Sequence, residues 1–239
     1  MPSSRFWDKS KTIQERWFRY KLHKKYGKML QKLLLCKLHR KLIKNHRITD
    51  EAIGSAINAI VTQLKKLDED LFPATKEFFN ICLFFLLAER DIQALKPDAF
   101  AHPNEAKRNI ALRALLLTIY EWDMGKVTGK NMKIIYGITG ISEQAKTNLI
   151  NSLKEVRKSR KNITTQFSEL RHNTIAHRES DALQQYEIIS NLNVIKFKSE
   201  IEDFYIATDK LFKAMTDALL EIGALPNLFY QVINGNKRT

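Results

Sequence analysis

SEQAKTNLINSLKEVRKSRKNITTQFSELR, residues 142–171, is the stretch that decides the fold. Ser142 opens it, and Leu149, Leu153, Val156, Ile163, Phe167 and Leu170 then return at helical spacing among polar and charged residues. This pattern predicts a long amphipathic helix, or two meeting near Lys161. It ends in a polar segment, ELRHNTIAHRESD (169–181), before a second apolar-periodic run begins.

Composition extends that reading to the whole chain. The 239 residues are 44% hydrophobic and 28% charged, enough to bury a core and consistent with one domain or one domain with an extension. Eight glycines and five prolines are too few to punctuate many short strands, so the expected class is all-α. No internal repeat and no low-complexity segment occurs.

Working towards the N-terminus, Gly129, Gly137 and Gly140 predict a loop in which KIIYGI is a short strand or a helical turn. A helix over about 104–124 places Ile110, Leu112, Leu115, Leu116, Ile119 and Trp122 on apolar positions. KPDAFAHPNEA, with Pro97 and Pro103, reads as a connector and suggests three regions: 1–100, 101–225 and a tail from 226 to 239. Before it, Pro73 suits the first turn of an apolar helix ending near Arg90. Another helix starts after Thr49, with Asp50 and Glu51 in its first turn, and ends about Leu67. Residues 11–45 form a basic helix, or two joined near Gly27, with an apolar i+4 row at Tyr26, Leu30, Leu34, Leu38 and Leu42. Towards the C-terminus a short helix over about 181–189 precedes one announced by Ser199 and Glu202 as a capping box, and Gly223 with Pro226 ends it.

Charge is unevenly distributed. Fifteen basic and three acidic residues fall within residues 1–50, a net +12 of the chain's +14. Such an arm suits a polyanion, either nucleic acid or an anionic membrane face. Arg16, Arg19, Lys24, Lys25, Lys28, Arg40 and Lys41 are candidate RNA contacts. Trp7, Trp17, Phe18, Tyr20 and Tyr26 interleave with the cations and could stack on unpaired bases. The same pattern suits a membrane surface, which would make the protein a membrane-surface adaptor.

Cys36 and Cys82 lie in apolar helical runs without a second Cys or His at ligand spacing, so both are expected to be reduced core residues. The first ten residues carry no signal-peptide pattern, and the longest apolar run, FFNICLFFLLA (78–88), is too short for a bilayer. A soluble, cytoplasmic protein is expected. No metal-binding string, phosphate loop or cofactor motif is present. Glu121 and Asp123 in YEWDMG diverge on a helix and do not make a paired-acid site.

The polar interruption carries the chemistry. Arg171 and His177 are six residues apart, and on an unbroken helix they would sit roughly 120° apart. Asn173 tolerates the conformation that ends a helix, and Asp181 lies in the first turn of the next one, so a break there lets both side chains face one cleft. The plainer alternative has Arg171 capping a helix C-terminus, His177 as a histidine satisfied by a carbonyl, and Arg178 and Glu179 as a solvated ion pair.

The string RHNTIAHR, set between two helices, resembles the signature of the HEPN superfamily (higher eukaryotes and prokaryotes nucleotide-binding), in the form of its abortive-infection branch. The resemblance spans about residues 104–222 in architecture and Arg171 to Arg178 at residue level; the basic N-terminal region lies outside it. It implies a HEPN-like helical bundle and metal-independent RNA cleavage of toxin or phage-defence type, at a site shared across a homodimer. His177 would be the general acid or base, and Arg171 would hold the scissile phosphate. His172 or Asn173 would orient the phosphate or the imidazole, with Arg178 among the RNA contacts. A non-catalytic RNA- or protein-binding member is the alternative, and an antitoxin or other regulatory protein is an implied partner. In the branch controlled by nucleotidyltransferase antitoxins a Tyr follows the His by two positions. Here that position is Glu179.

Overall fold

The computed structural model describes residues 10–171, 181–190, 192 and 194–235. Among these residues there are eight helices and no strand, so the chain is all-α. They are α1 (Lys11–Lys66), α2 (Pro73–Ala101), α3 (Glu105–Glu121), α4 (Gly125–Ile138), α5 (Glu143–Arg171), α6 (Ala182–Ser190), α7 (Val194–Ile222) and α8 (Leu225–Gly235).

The helix expected from residues 142–171 runs unbroken past Lys161 to Arg171. Ser142 starts it as expected: its hydroxyl oxygen accepts from the Ala145 N–H at 3.2 Å while donating to Glu221 at 2.9 Å. One side chain thus caps α5 and ties it to the far end of α7. Leu149, Leu153, Val156, Ile163 and Phe167 are all buried.

Centrally placed α2 packs against α1, α3, α4 and α7. Phe78, Ile81, Phe85 and Ile92 are fully buried there, and Phe85, Trp122 and Phe204 stack edge-to-face at 5.3 and 5.6 Å between centroids. Such pairs add about 0.5–1.5 kcal/mol each beyond their area burial. A single apolar core runs from Ile60 of α1 to Ile222 at the end of α7.

Several boundaries differ from expectation, each for a tertiary reason. The first and second basic and apolar segments are one 56-residue helix, α1. Asp50, read as a helix start, instead reaches across to α2, where Arg90 donates to its carboxylate at 2.7 and 3.3 Å. The apolar helix does not stop near Arg90 but continues through Pro97 to Ala101. An internal proline forfeits one backbone bond and costs about 3 kcal/mol in a helix. Ala99 and Ala101, both fully buried, together with Pro97 itself, supply the packing that offsets this. KIIYGI is helical within α4. α7 begins at Val194, so Ser199 is interior to it and not its cap. After α7 ends at Ile222 the expected tail forms α8, with Pro226 in its first turn. There buried Gln231 accepts from Thr75 at 2.6 Å, and Gly140, at φ +66°, leaves room for Tyr230.

Cys82 is buried in the core as expected, and burial pushes its thiol pKa up, whereas Cys36 is only half-buried on α1. Both are free. None of the described helices is long and apolar enough to cross a membrane.

Candidate nucleic-acid interface

Cross-links between helices define one end of the molecule. Arg160 of α5 donates to the Ile119 and Tyr120 carbonyls at the end of α3, and Lys96 near the end of α2 sits over the Tyr205 ring of α7. Glu155 with Lys210, and Gln166 with Glu200, make α7 antiparallel to α5. His39 on α1 meets Asp98 near the end of α2. The end of α5, the starts of α3 and α7, the end of α2 and the root of the basic arm therefore share one pole.

At that pole the first turns of α3 and the outer face of α6 enclose an open cleft of about 630 Å³, lined by Asn104, Glu105, Asn109, Arg113, Tyr186 and Ile189 among others. Ile110, one of the apolar positions of the helix expected over about 104–124, is 59% exposed and lines this cleft. Asn104 caps α3 by accepting from the Lys107 N–H at 3.1 Å. Arg171 is the last residue of α5. Its side chain, and the candidate residues His172, Asn173, His177 and Arg178, lie outside the described residues.

The arm is described from residue 10 onward. Arg16, Arg19, Lys24, Lys25, Lys28, Arg40 and Lys41 are all exposed. They do not share a face. On an ideal helix Lys24, Lys25 and Lys28 fall on one side together with Lys21 and Lys32, while Arg19, Arg40 and Lys41 fall on the opposite side. The i+4 row of Tyr26, Leu30, Leu34, Leu38 and Leu42 likewise winds round the helix. Leu42 is half-buried, and the other four are exposed.

Two clusters escaped the sequence reading because their members are far apart in the chain. His39 Nε2 lies 2.6 Å from Asp98 Oδ1, and its ring stands edge-on to His102 with centroids 5.1 Å apart. This trio roots the arm on the body beside the cleft. Deeper in the α2–α7 interface, Glu89 accepts from Gln93 at 2.6 Å, and Lys96 Nζ sits 3.9 Å over the Tyr205 ring. Burial raises the Glu89 carboxyl pKa to about 7, with the nearby Asp209 raising it and the Gln93 hydrogen bond and Lys96 opposing. Burial also lowers the Lys96 pKa and raises that of Tyr205. No group of three or more His, Cys, Asp and Glu side chains suited to a metal ion occurs among the described residues.

Comparison with protein-family models, with curated proteins and with solved structures finds no match to this chain.

Proposed function

We propose that this protein is a metal-independent endoribonuclease of toxin or phage-defence type, with a HEPN-like site that is composite across a homodimer. The observation that carries the proposal is the string RHNTIAHR, whose first residue, Arg171, is the last residue of α5, the helix that ends at the pole where the basic arm is rooted. In this reading His177 takes the proton of a ribose 2′-hydroxyl as that oxygen attacks the adjacent phosphorus. The bond from phosphorus to the 5′-oxygen breaks, and the departing oxygen receives a proton from the second imidazole of the dimer site. Arg171 neutralises charge on the phosphoryl oxygens, with His172 and Asn173 orienting the phosphate. One Arg and one His per chain are a thin set, and two copies facing across a two-fold axis double it. Arg178 and the cations of the arm hold the flanking phosphates.

An RNA-cleavage gel tests this directly. His177→Ala and Arg171→Ala should each abolish cleavage, since losing one acid or base costs about 10²–10⁴ in rate. Helicity and melting should stay as in wild type. EDTA should not inhibit, and the products should end in 2′,3′-cyclic phosphate. Cleavage that persists in both variants, or that stops with chelator, would leave the protein as a non-catalytic RNA- or protein-binding module.

A further inference from the structure

We propose that the first part of α1 is a membrane-surface helix, which lies on an anionic phospholipid bilayer by its outward face. The two faces of α1 invert at about His39. From there onward His39, Leu42, His46, Ile53, Ile60 and Leu64, half-buried or buried, mark the stripe that packs on the body. The side opposite that stripe is polar, with Lys44, Glu51, Ser55, Asn58 and Thr62 all exposed. Before His39 the same outward side carries Leu22, Tyr26, Met29, Leu30 and Leu33, while Lys21, Lys24, Lys28 and Lys32 take the side that continues the body stripe.

No described element covers the outward apolar face. Leu22, Met29 and Leu33 are 57%, 58% and 56% exposed. They span ~17 Å, about three turns at 1.5 Å per residue. The body hangs from the other side of α1, so it does not stand between this face and a flat surface.

Charge placement selects anionic lipid as the occupant. Lys25 and Lys32 border the apolar face on one side, Arg16 and Lys41 border it on the other, and Arg19 and Lys37 interrupt it. Glu15 is the one acid between Lys11 and Thr49. A second copy seated on this face would set its own cations against these, whereas anionic headgroups neutralise them. The long stems can follow the apolar face while their charged ends reach the headgroups, and Lys25 Nζ stands 5.1 Å from the Tyr26 ring centroid. RNA would engage the cations and the aromatic rings but leave Leu22, Met29, Leu30 and Leu33 in water. A bilayer interface takes both, with the leucines at the acyl boundary and the lysines on the polar side.

This inference does not rest on RNA cleavage, and its test does not use it. In flotation, the full chain should rise with phosphatidylcholine vesicles that contain phosphatidylserine and stay behind with phosphatidylcholine alone. A triple variant, Leu22→Gln with Met29→Gln and Leu33→Gln, leaves the charge and the helix propensity of the arm in place. Its affinity for the phosphatidylserine vesicles should fall at least ~100-fold, while melting and RNA affinity stay as in wild type. Vesicle binding equal to wild type would mean that the cations act alone, and would overturn the apolar face as the lipid contact. A parallel loss of RNA affinity would give that face to RNA stacking instead. A wild type that fails to float overturns the proposal, and a solution dimer that the triple variant turns into monomer would then give the face to a second copy.

Discussion

At the scale of single residues, the least expected feature is a carboxyl group inside the α2–α7 interface. Glu89 is 5% exposed, one of its oxygens has no hydrogen-bond partner, and its neighbours are Gln93, Lys96, Tyr205 and Asp209. Burial favours the neutral acid and raises the pKa from 4.5 to about 7. Because the folded pKa lies above the unfolded one, this contribution to stability is complete below about pH 4.5 and is lost as pH rises to about 7. The loss is on the order of 3 kcal/mol at ~1.4 kcal/mol per pH unit. Glu89→Gln keeps the shape without the charge, so its melting temperature should exceed that of wild type at pH 8 and lose most of the dependence across that interval. Equal pH profiles for the two proteins would show that Glu89 does not titrate there.

At the scale of elements, α1 joins two jobs in one helix. From His39 onward it is a wall of the core, held by His39 with Asp98 and Asp50 with Arg90. Before His39 it is an exposed basic arm. The arm is the part of the RNA proposal that can be tested without catalysis. Removing residues 1–38 should leave the body folded, because the buried residues of α1, Ile53 and Ile60, are retained. RNA affinity should fall, and the steep decline of log K with log salt should flatten by ~0.7 for each phosphate of single-stranded RNA that the arm had neutralised. An unchanged slope would assign the cations another role.

At the scale of the whole molecule, one core joins the elements, and its stability depends on polar contacts between residues remote in sequence. Thr75 and Gln231, 156 positions apart, share a buried 2.6 Å hydrogen bond between the start of α2 and α8. Gln231→Ala would strand the Thr75 hydroxyl in the interior and should cost about 1–3 kcal/mol in denaturant unfolding. The double variant that adds Thr75→Val should recover part of that loss, because no unpaired polar group then remains. Additive losses in the two variants would mean that the bond is not coupled.

How much of this was legible in the chain depends on the range of the interaction. The all-α class, the Ser142 start of α5 and the buried series from Leu149 to Phe167 follow from scarce Gly and Pro, a side-chain cap and helical periodicity, all of which act within a few residues. The excess of cations in the arm and the string RHNTIAHR are likewise local and could be read directly. The helix ends could not. Asp50, Pro97 and Ser199 are ordinary boundary signals worth roughly 0.5–3 kcal/mol each, and contacts from other helices override them. Nor could the His39–Asp98–His102 trio, the Glu89 cluster or the cleft between α3 and α6 be read, since their parts meet only after folding. The sequence alone determined what each segment is, because propensity and periodicity are short-range. The tertiary structure decided where segments stop, which face of α1 is left open and which distant charges become neighbours, because those depend on what packs against them.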